Sequence, residues 1–595
     1  MNSNLDPKIL WPDKRTALRR LTQITLVLLP LSLVVFALLV GDWKLNLPEW
    51  TEETRRHLCQ WAVILLVAIA VTFLAGSLPI VQRFFNWLFS GRILRRTLIG
   101  LAWFLTLVVF FYAEEDWRGR HTWNNYRQQL AAGGAQLDYR EFIPKPVPDD
   151  QNFAALPLIE SWFTQRTNFA DKWSDDFNQA DVMISSKELD ADAGRRHFLD
   201  LVAWKMAFEA VQAGRTNSKQ QFESDKFDLA SRAAAAPAVL AGLVASETEL
   251  APLRAASDRP DARYPVVYDL ENPWGILLPH LGNIKRNVQR LQLRACAELA
   301  AGHSDDAFAD VKLMLYLADS VKNEPFLISY LVRLACVQLA IQPVWEGLAE
   351  HAWSDAQLQE LQAQFQQCDF FPQMEYSLAS ERAAAILTAE LLERGKYHFN
   401  DLADDPSHTG SSLANLLGRM VPRGWYDFEK LSYCQLFQLQ LKGAYDVEKK
   451  QVFPRQIEAN TNALEQAFAG RNPVTTICTR HQLLAVMLLP ALHNVPRRAA
   501  AAQTAVNEAA IACALERYRL ANGQYSENLG ALIPKFVTSP PNDVISGQPY
   551  KYHRTNDGRF VLYSVGWNET DEGGAPGDTL FDTKEGDWVW QYPAK

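Results

Sequence analysis

Eleven histidines are scattered through the 595 residues. None stands in His-Glu-x-x-His or His-x-His, or beside cysteines and carboxylates at metal-ligand spacing. Gly-x-Ser-x-Gly, phosphate loops and dinucleotide fingerprints are missing, so there is no hydrolase elbow and no nucleotide cradle. His280, in Leu277-Leu-Pro-His-Leu-Gly282, lies between apolar neighbours just before a helix and reads as a satisfied structural histidine. Glu381-Arg382, inside an apolar helical stretch, reads as a buried ion pair with partners elsewhere, since a buried charge must be paired. Cys296, Cys336 and Cys513 lie in apolar helical contexts and read as small hydrophobes. Seven cysteines with no Cys-x-x-Cys make no disulfide scaffold. Asp149-Asp150 would serve glycoside cleavage only with carboxylates about 5–10 Å apart across a cleft, which spacing along a chain does not show. A binding or scaffolding role is therefore expected ahead of catalysis.

The elements that would position such groups begin with a membrane region. Leu21–Val40 and Trp61–Ile80 are each 20 residues without a charge, and Thr97–Ala113 is 17. At 1.5 Å per residue the first two reach about 30 Å, the hydrocarbon thickness, and the third is at the short end of the spanning range. The first run is too long for the core of a cleaved signal peptide and reads as a retained helix. Lys8, Lys14, Arg15, Arg19 and Arg20 precede the first run, and Arg83, Arg92, Arg95 and Arg96 precede the third. Glu114, Glu115 and Asp116 follow the third. Three crossings, with residues 1–20 in the cytoplasm and everything past about 114 outside it, are expected at the inner (cytoplasmic) membrane. If the third run does not span, the large remainder flips to the cytoplasm.

Residues 114–149 read as a linker. Trp117–Leu130 is aromatic and polar and would continue the third helix through the interface. In Phe142-Ile-Pro-Lys-Pro-Val-Pro-Asp149 the alternating prolines predict an extended strut that spaces a domain from the membrane. Residues 150–495 read as a large helical domain of helical hairpins. Ile284, Val288, Leu291, Ala295 and Leu299 share one helix face, Gly302 ends that helix, and Ser304 caps the next. Ser354 and Gln357 form a capping box. No fixed repeat period emerges. Asp258–Pro273 and Asp401–Ser412 read as surface loops, either of which could line a pocket.

Residues 496–595 change texture. An alanine-rich helix over Arg497–Leu520 precedes a hairpin turning at Asn556-Asp557-Gly558, an acidic glycine-rich loop, and a last short strand at Asp587–Trp590. The expected fold is mainly α, with a small C-terminal α+β domain built on an antiparallel sheet.

Ala514-Leu515-Glu-Arg-Tyr518-Arg-Leu-Ala-Asn522-Gly523-Gln-Tyr525 begins an ordered set of motifs. Pro541-Asn-Asp543, Ser546-Gly547-Gln-Pro-Tyr550-Lys-Tyr552 and Phe560-Val-Leu-Tyr-Ser-Val-Gly566 continue it. The set resembles the globular part of type II secretion system major pseudopilins, over about 100 residues. That resemblance implies a calcium loop after the Tyr563-Ser564-x-Gly566 strand. Asn568, Asp571, Glu572, Asp578 and Asp582 would supply hard oxygen ligands there. The plain alternative is a solvated acidic loop. Pseudopilins carry this domain behind a single processed N-terminal helix, whereas here it ends a long chain, so fibre assembly by the pilin route is not expected. The whole chain is similar to membrane-anchored envelope proteins of planctomycete and verrucomicrobial bacteria.

A net charge of −9 argues against nucleic acid as a partner. The expected partners are the lipid bilayer and other envelope proteins. The leading expectation is a membrane-anchored extracytoplasmic scaffold or binding protein. An accessory of a type II secretion or pilus-like system, and a hydrolase of envelope or external polymers, are the alternatives.

Overall fold

The computed structural model describes residues 91–164, 175–184, 195–215, 228–397, 421–470, 476 and 479–593. The runs Leu21–Val40 and Trp61–Ile80 and the loop Asp401–Ser412 lie outside the described residues. The described chain is mainly helical with two small antiparallel sheets. It divides into two compact units, one holding 91–121, 395–397 and 421–425, the other 122–394 and 426–593.

Helix α1 (Gly91–Ala132), whose residues 91–121 belong to the first unit, carries the third apolar run and continues unbroken through the aromatic stretch. From Thr97 to Ala113 every residue except Val108 and Tyr112 is exposed. A soluble helix would bury one face of such a run; this one buries none. The acidic residues after the run also fasten it to another segment. Asp116 Oδ1 accepts the Gly424 N–H at 2.9 Å, and Glu115 Oε2 accepts the Trp425 indole N–H at 3.0 Å.

The second unit opens with α2 (Pro157–Thr164), α3 (Asp176–Ile184), α4 (Leu201–Gln212), α5 (Leu229–Gly242) and α6 (Glu247–Ala255). A central trio follows: α7 (Pro279–Ala300), α8 (Ser304–Asp319) and α9 (Leu327–Ala349), each packed on the other two. Gly302, at φ 83°, closes the α7–α8 turn. Its N–H reaches Leu299 O at 3.0 Å and the His303 N–H reaches Glu298 O at 2.8 Å, a Schellman closure. That closure moves the cap one residue forward from expectation: His303 is the N-cap of α8 and Ser304 its first helical residue.

Helix α9 is also long and apolar enough to cross a membrane, but 61% of its most apolar window is buried. Its apolarity serves a core in which Trp345, Val337 and Ile341 are shut from solvent. Among the described residues, two helices thus meet the length and composition of a membrane span, and α1 alone leaves its apolar surface uncovered.

Helices α10 (Asp355–Gln367), α11 (Phe371–Glu393) and α12 (Gly424–Leu441) follow. The Ser354–Gln357 capping box is present, with both reciprocal bonds made. The proline segment is not a free spacer. Tyr139 and Phe142 are buried against Ala383 and Ala384 of α11. Tyr376 donates its hydroxyl to Phe142 O at 3.0 Å and Arg263 Nε donates to Pro144 O at 3.1 Å, so the strut is a strap. Glu381 and Arg382 serve separate partners rather than a shared ion-pair cluster. Glu381 accepts the Leu327 N–H at the start of α9, while Arg382 donates to Gln136 O and lies over the Phe437 ring.

After a two-stranded ribbon, β1 (Tyr445–Asp446) and β2 (Gln451–Val452), come α13 (Pro454–Phe468), α14 (Leu483–Leu488) and α15 (Val495–Asn522). From Ala499 to Glu516, α15 is buried at every position but Asn507. Its alanines let α9 and α10 on one side and the terminal sheet on the other approach closely. Gly523, at φ 79°, ends it. The sheet runs β3 (Lys551–Arg554), β4 (Phe560–Ser564), β5 (Trp588–Trp590) in that order, antiparallel throughout. The hairpin has a three-residue loop, Asn556-Asp557-Gly558. Thr555 and Arg559 close it through a 3.0 Å bond, with Gly558 in the left-handed conformation that such a loop requires.

Candidate functional site

A cleft of about 510 Å³ opens in the second unit between the loop at 257–262, α8 and the end of α10. The loop is held firmly. Asn152 bonds Arg263 through both its side-chain atoms, at 3.0 and 2.8 Å, and Phe153 N–H reaches Asp261 O at 2.7 Å. From below, the Tyr316 hydroxyl donates to Arg259 O at 2.7 Å. One of the two loops singled out in the sequence therefore does line a pocket.

The ionisable groups of this cleft are mostly committed. Arg254 pairs with Asp310 at 3.0 Å and Glu247 at 3.3 Å, and Lys312 pairs with Glu360 at 2.6 Å. Lys322 is 3.6 Å from Asp319, which also takes Arg333. A phosphate or a polyanion would have to break these pairs. The Asp258 and Asp261 carboxylates, beside the rings of Phe308 and Tyr316, have no hydrogen bond or ion pair among the described residues. Such a surface suits ligands that donate hydrogen bonds to carboxylates and lay apolar faces on aromatic rings. No nucleophile is prepared there. The Ser257 and Ser320 hydroxyls donate to backbone carbonyls, and burial pushes the Cys368 thiol up to about 12.

His280 is buried, with its ring stacked between Phe163 at 5.3 Å and Tyr264 at 4.3 Å. Its Nε2 is 2.8 Å from Glu324 Oε1, and the other oxygen of Glu324 accepts the Ser329 hydroxyl. The serine touches the carboxylate and not the imidazole, so this is not the order of a nucleophilic triad. It is buried as expected but only half satisfied, because its Nδ1 has no hydrogen-bond partner among the described residues. Cys296, Cys336 and Cys513 are free and buried, and burial raises all three thiols.

The terminal loop distributes its five candidate ligands over three places. Asn568 Nδ2 donates to Glu572 Oε1 at 2.7 Å. Asp571 accepts the Tyr563 hydroxyl and the Gly573 N–H and lies 3.3 Å from Lys551. Asp578 and Asp582 line a separate recess of about 530 Å³ with Arg497, Arg498 and Lys584, and Asp582 also accepts the Lys584 N–H. As folded, the five do not form one cage. The loop is organised instead by Asp587, which the sequence reading placed only in a strand. Its carboxylate accepts the Gly574 N–H at 2.7 Å and the Glu572 N–H at 3.3 Å. Burial and the neighbouring Glu572 raise that carboxyl to about 6 against these bonds. No sequence signal marks an aspartate whose bonds run to backbone 13 and 15 residues away.

No protein-family model matches the chain, and no curated protein or solved structure matches it either.

Proposed function

We propose that this protein is a membrane-anchored scaffold or binding protein of the cell envelope, with its N-terminus in the cytoplasm and the chain beyond about residue 114 on the far side. The observation that carries the reading is the apolar run of α1, which is exposed along its most apolar stretch and has the composition of a lipid-facing surface. The fastened cleft of the second unit, with its cations paired and its Asp258 and Asp261 carboxylates unpaired among the described residues, supports a binding role. Alkaline extraction of membranes followed by protease protection tests this. The protein is expected to stay in the pellet and its residues past 130 to be cut only from the extracytoplasmic side. Extraction into the supernatant overturns the anchor, and cutting from the cytoplasmic side overturns the orientation.

A second reading, an accessory of a type II secretion or pilus-like machine, is favoured by the order of a long helix, a glycine stop and a three-stranded antiparallel sheet over 495–593. Co-purification with such a machine after crosslinking would establish it. Calcium at the terminal loop belongs to this second reading, with Asn568 and Glu572 as its nucleus. Calorimetry of the full chain that shows no heat on calcium addition removes it. A third reading, hydrolysis of an envelope polymer, draws on Asp258, Asp261 and Asp319 sharing one cleft. It requires polymer cleavage that disappears in the Asp258→Asn, Asp261→Asn double variant.

A further inference from the structure

The turn between α7 and α8 brings together three side chains that serve neither the cleft nor the membrane. Glu298, His303 and Asp306 each offer one donor atom, and all three atoms lie within 4.8 Å of one another. Backbone geometry enforces the meeting. Glu298 accepts the His303 N–H in the Schellman closure, which folds the imidazole back over the last turn of α7. His303 is in turn the cap residue of α8, and Asp306 lies three residues further, one helical turn on and facing the same junction. The left-handed Gly302 fixes the angle at which the two helices present these groups.

The neighbours leave the cluster available. His303 Nδ1 is 2.7 Å from Glu298 Oε2, a contact in which a cation would replace a proton. Asp305 is turned away, accepting the Gln357 amide at 2.8 Å, while Asp306 has no hydrogen bond or ion pair among the described residues. Arg294, 3.9 Å from Glu298, is balanced by Glu247 and Asp310. His303 is more than half exposed, so the cluster is reachable from solvent. The negative pole at the carboxyl end of α7 and the positive pole at the start of α8 meet here and offset each other, so the two carboxylates set the local charge.

We propose that Glu298, His303 and Asp306 bind a divalent transition-metal cation of the zinc class, clipping α7 to α8 at their turn. One imidazole with two carboxylates suits zinc and its neighbours in the first row, whereas calcium takes oxygen ligands alone. Three protein ligands leave a coordination position for water or for a group from a partner.

The test is cobalt titration of the full chain, purified in detergent and stripped with a chelator, followed by visible absorption and by competition with zinc. The expected result is one equivalent of bound cobalt, displaced by zinc, with zinc also raising the thermal midpoint. His303→Ala is expected to abolish the band and Asp306→Asn to weaken binding about tenfold or more. His553→Ala, an exposed histidine on β3, is expected to leave binding unchanged. Should His303→Ala fail to fold, the conservative Asp306→Asn variant decides alone. No cobalt band in the unaltered chain, or equal affinity in the Asp306→Asn variant, overturns the proposal.

Discussion

Gly119 in α1 and Gly424 at the start of α12 meet backbone to backbone, and a Cβ on either would fall inside the other segment's main chain. Only a residue without a side chain permits that approach at both places. Asp116 and Glu115 complete the joint by accepting the Gly424 backbone N–H and the Trp425 indole N–H, respectively.

Gly119→Ala should therefore cost about 1–3 kcal/mol of stability, the usual penalty for overpacking. Thermal unfolding in detergent measures it. Asp116→Ala should cost less, about 1 kcal/mol, as loss of the hydrogen bond to the Gly424 N–H.

Leu105→Arg places a charge midway along the exposed apolar run. If lipid covers that run, insertion should be disfavoured by about 2.5–3.5 kcal/mol. Glycosylation mapping of sites past residue 130 would then show a mixed orientation, while an unaffected pattern would mean that the run does not cross.

Glu429 accepts the Leu483 and Leu484 N–H groups at the start of α14. Burial nevertheless raises its carboxyl from the ordinary 4.5 to about 7. The folded state then binds the proton more tightly than the unfolded chain. Its contribution is complete below about pH 4.5 and lost as pH rises through about 7. Burial raises Asp310 and Glu381 to about 7 as well, so they act in the same window. Glu429→Gln should flatten the fall in stability between about pH 5 and 8, read by urea unfolding at several pH values.

Glu516 behaves oppositely. Burial alone would raise its carboxyl, but hydrogen bonds from His351, Arg519 and Tyr525 overcome this and hold it at about 2. Its contribution is present above about pH 4.5 and lost as pH falls towards 2. Glu516→Gln should remove on the order of 3 kcal/mol at neutral pH and abolish the acid loss in that window. Circular dichroism between about pH 5 and 2 follows it.

Helix existence, the Gly302 and Gly523 stops and the Ser354 capping box were legible because they depend on neighbours within one turn. The Asp258–Pro273 segment was legible as a surface loop that could line a pocket, from its prolines, aspartates and aromatic residues. Three features were not legible, each for a reason of distance. The proline strap depends on Tyr376, more than 200 residues from Phe142. Glu381 finds its partner in the Leu327 backbone, which no side-chain pattern announces. The Glu298–His303–Asp306 group has the irregular spacing of a helix end, a turn and a helix start, and no linear metal motif matches it. The alanine run over 499–514 showed a helix but not its surroundings, because small residues suit an exposed helix and a crowded one equally.

That crowded helix has a consequence for folding. The bundle cannot reach its final density until Val495–Asn522 is seated against α9 and α10, which lie far from it in sequence. Those two helices keep an uncovered apolar face until that long-range contact forms. A variant that unseats Val495–Asn522 would leave the face exposed and be a natural target for quality-control proteases.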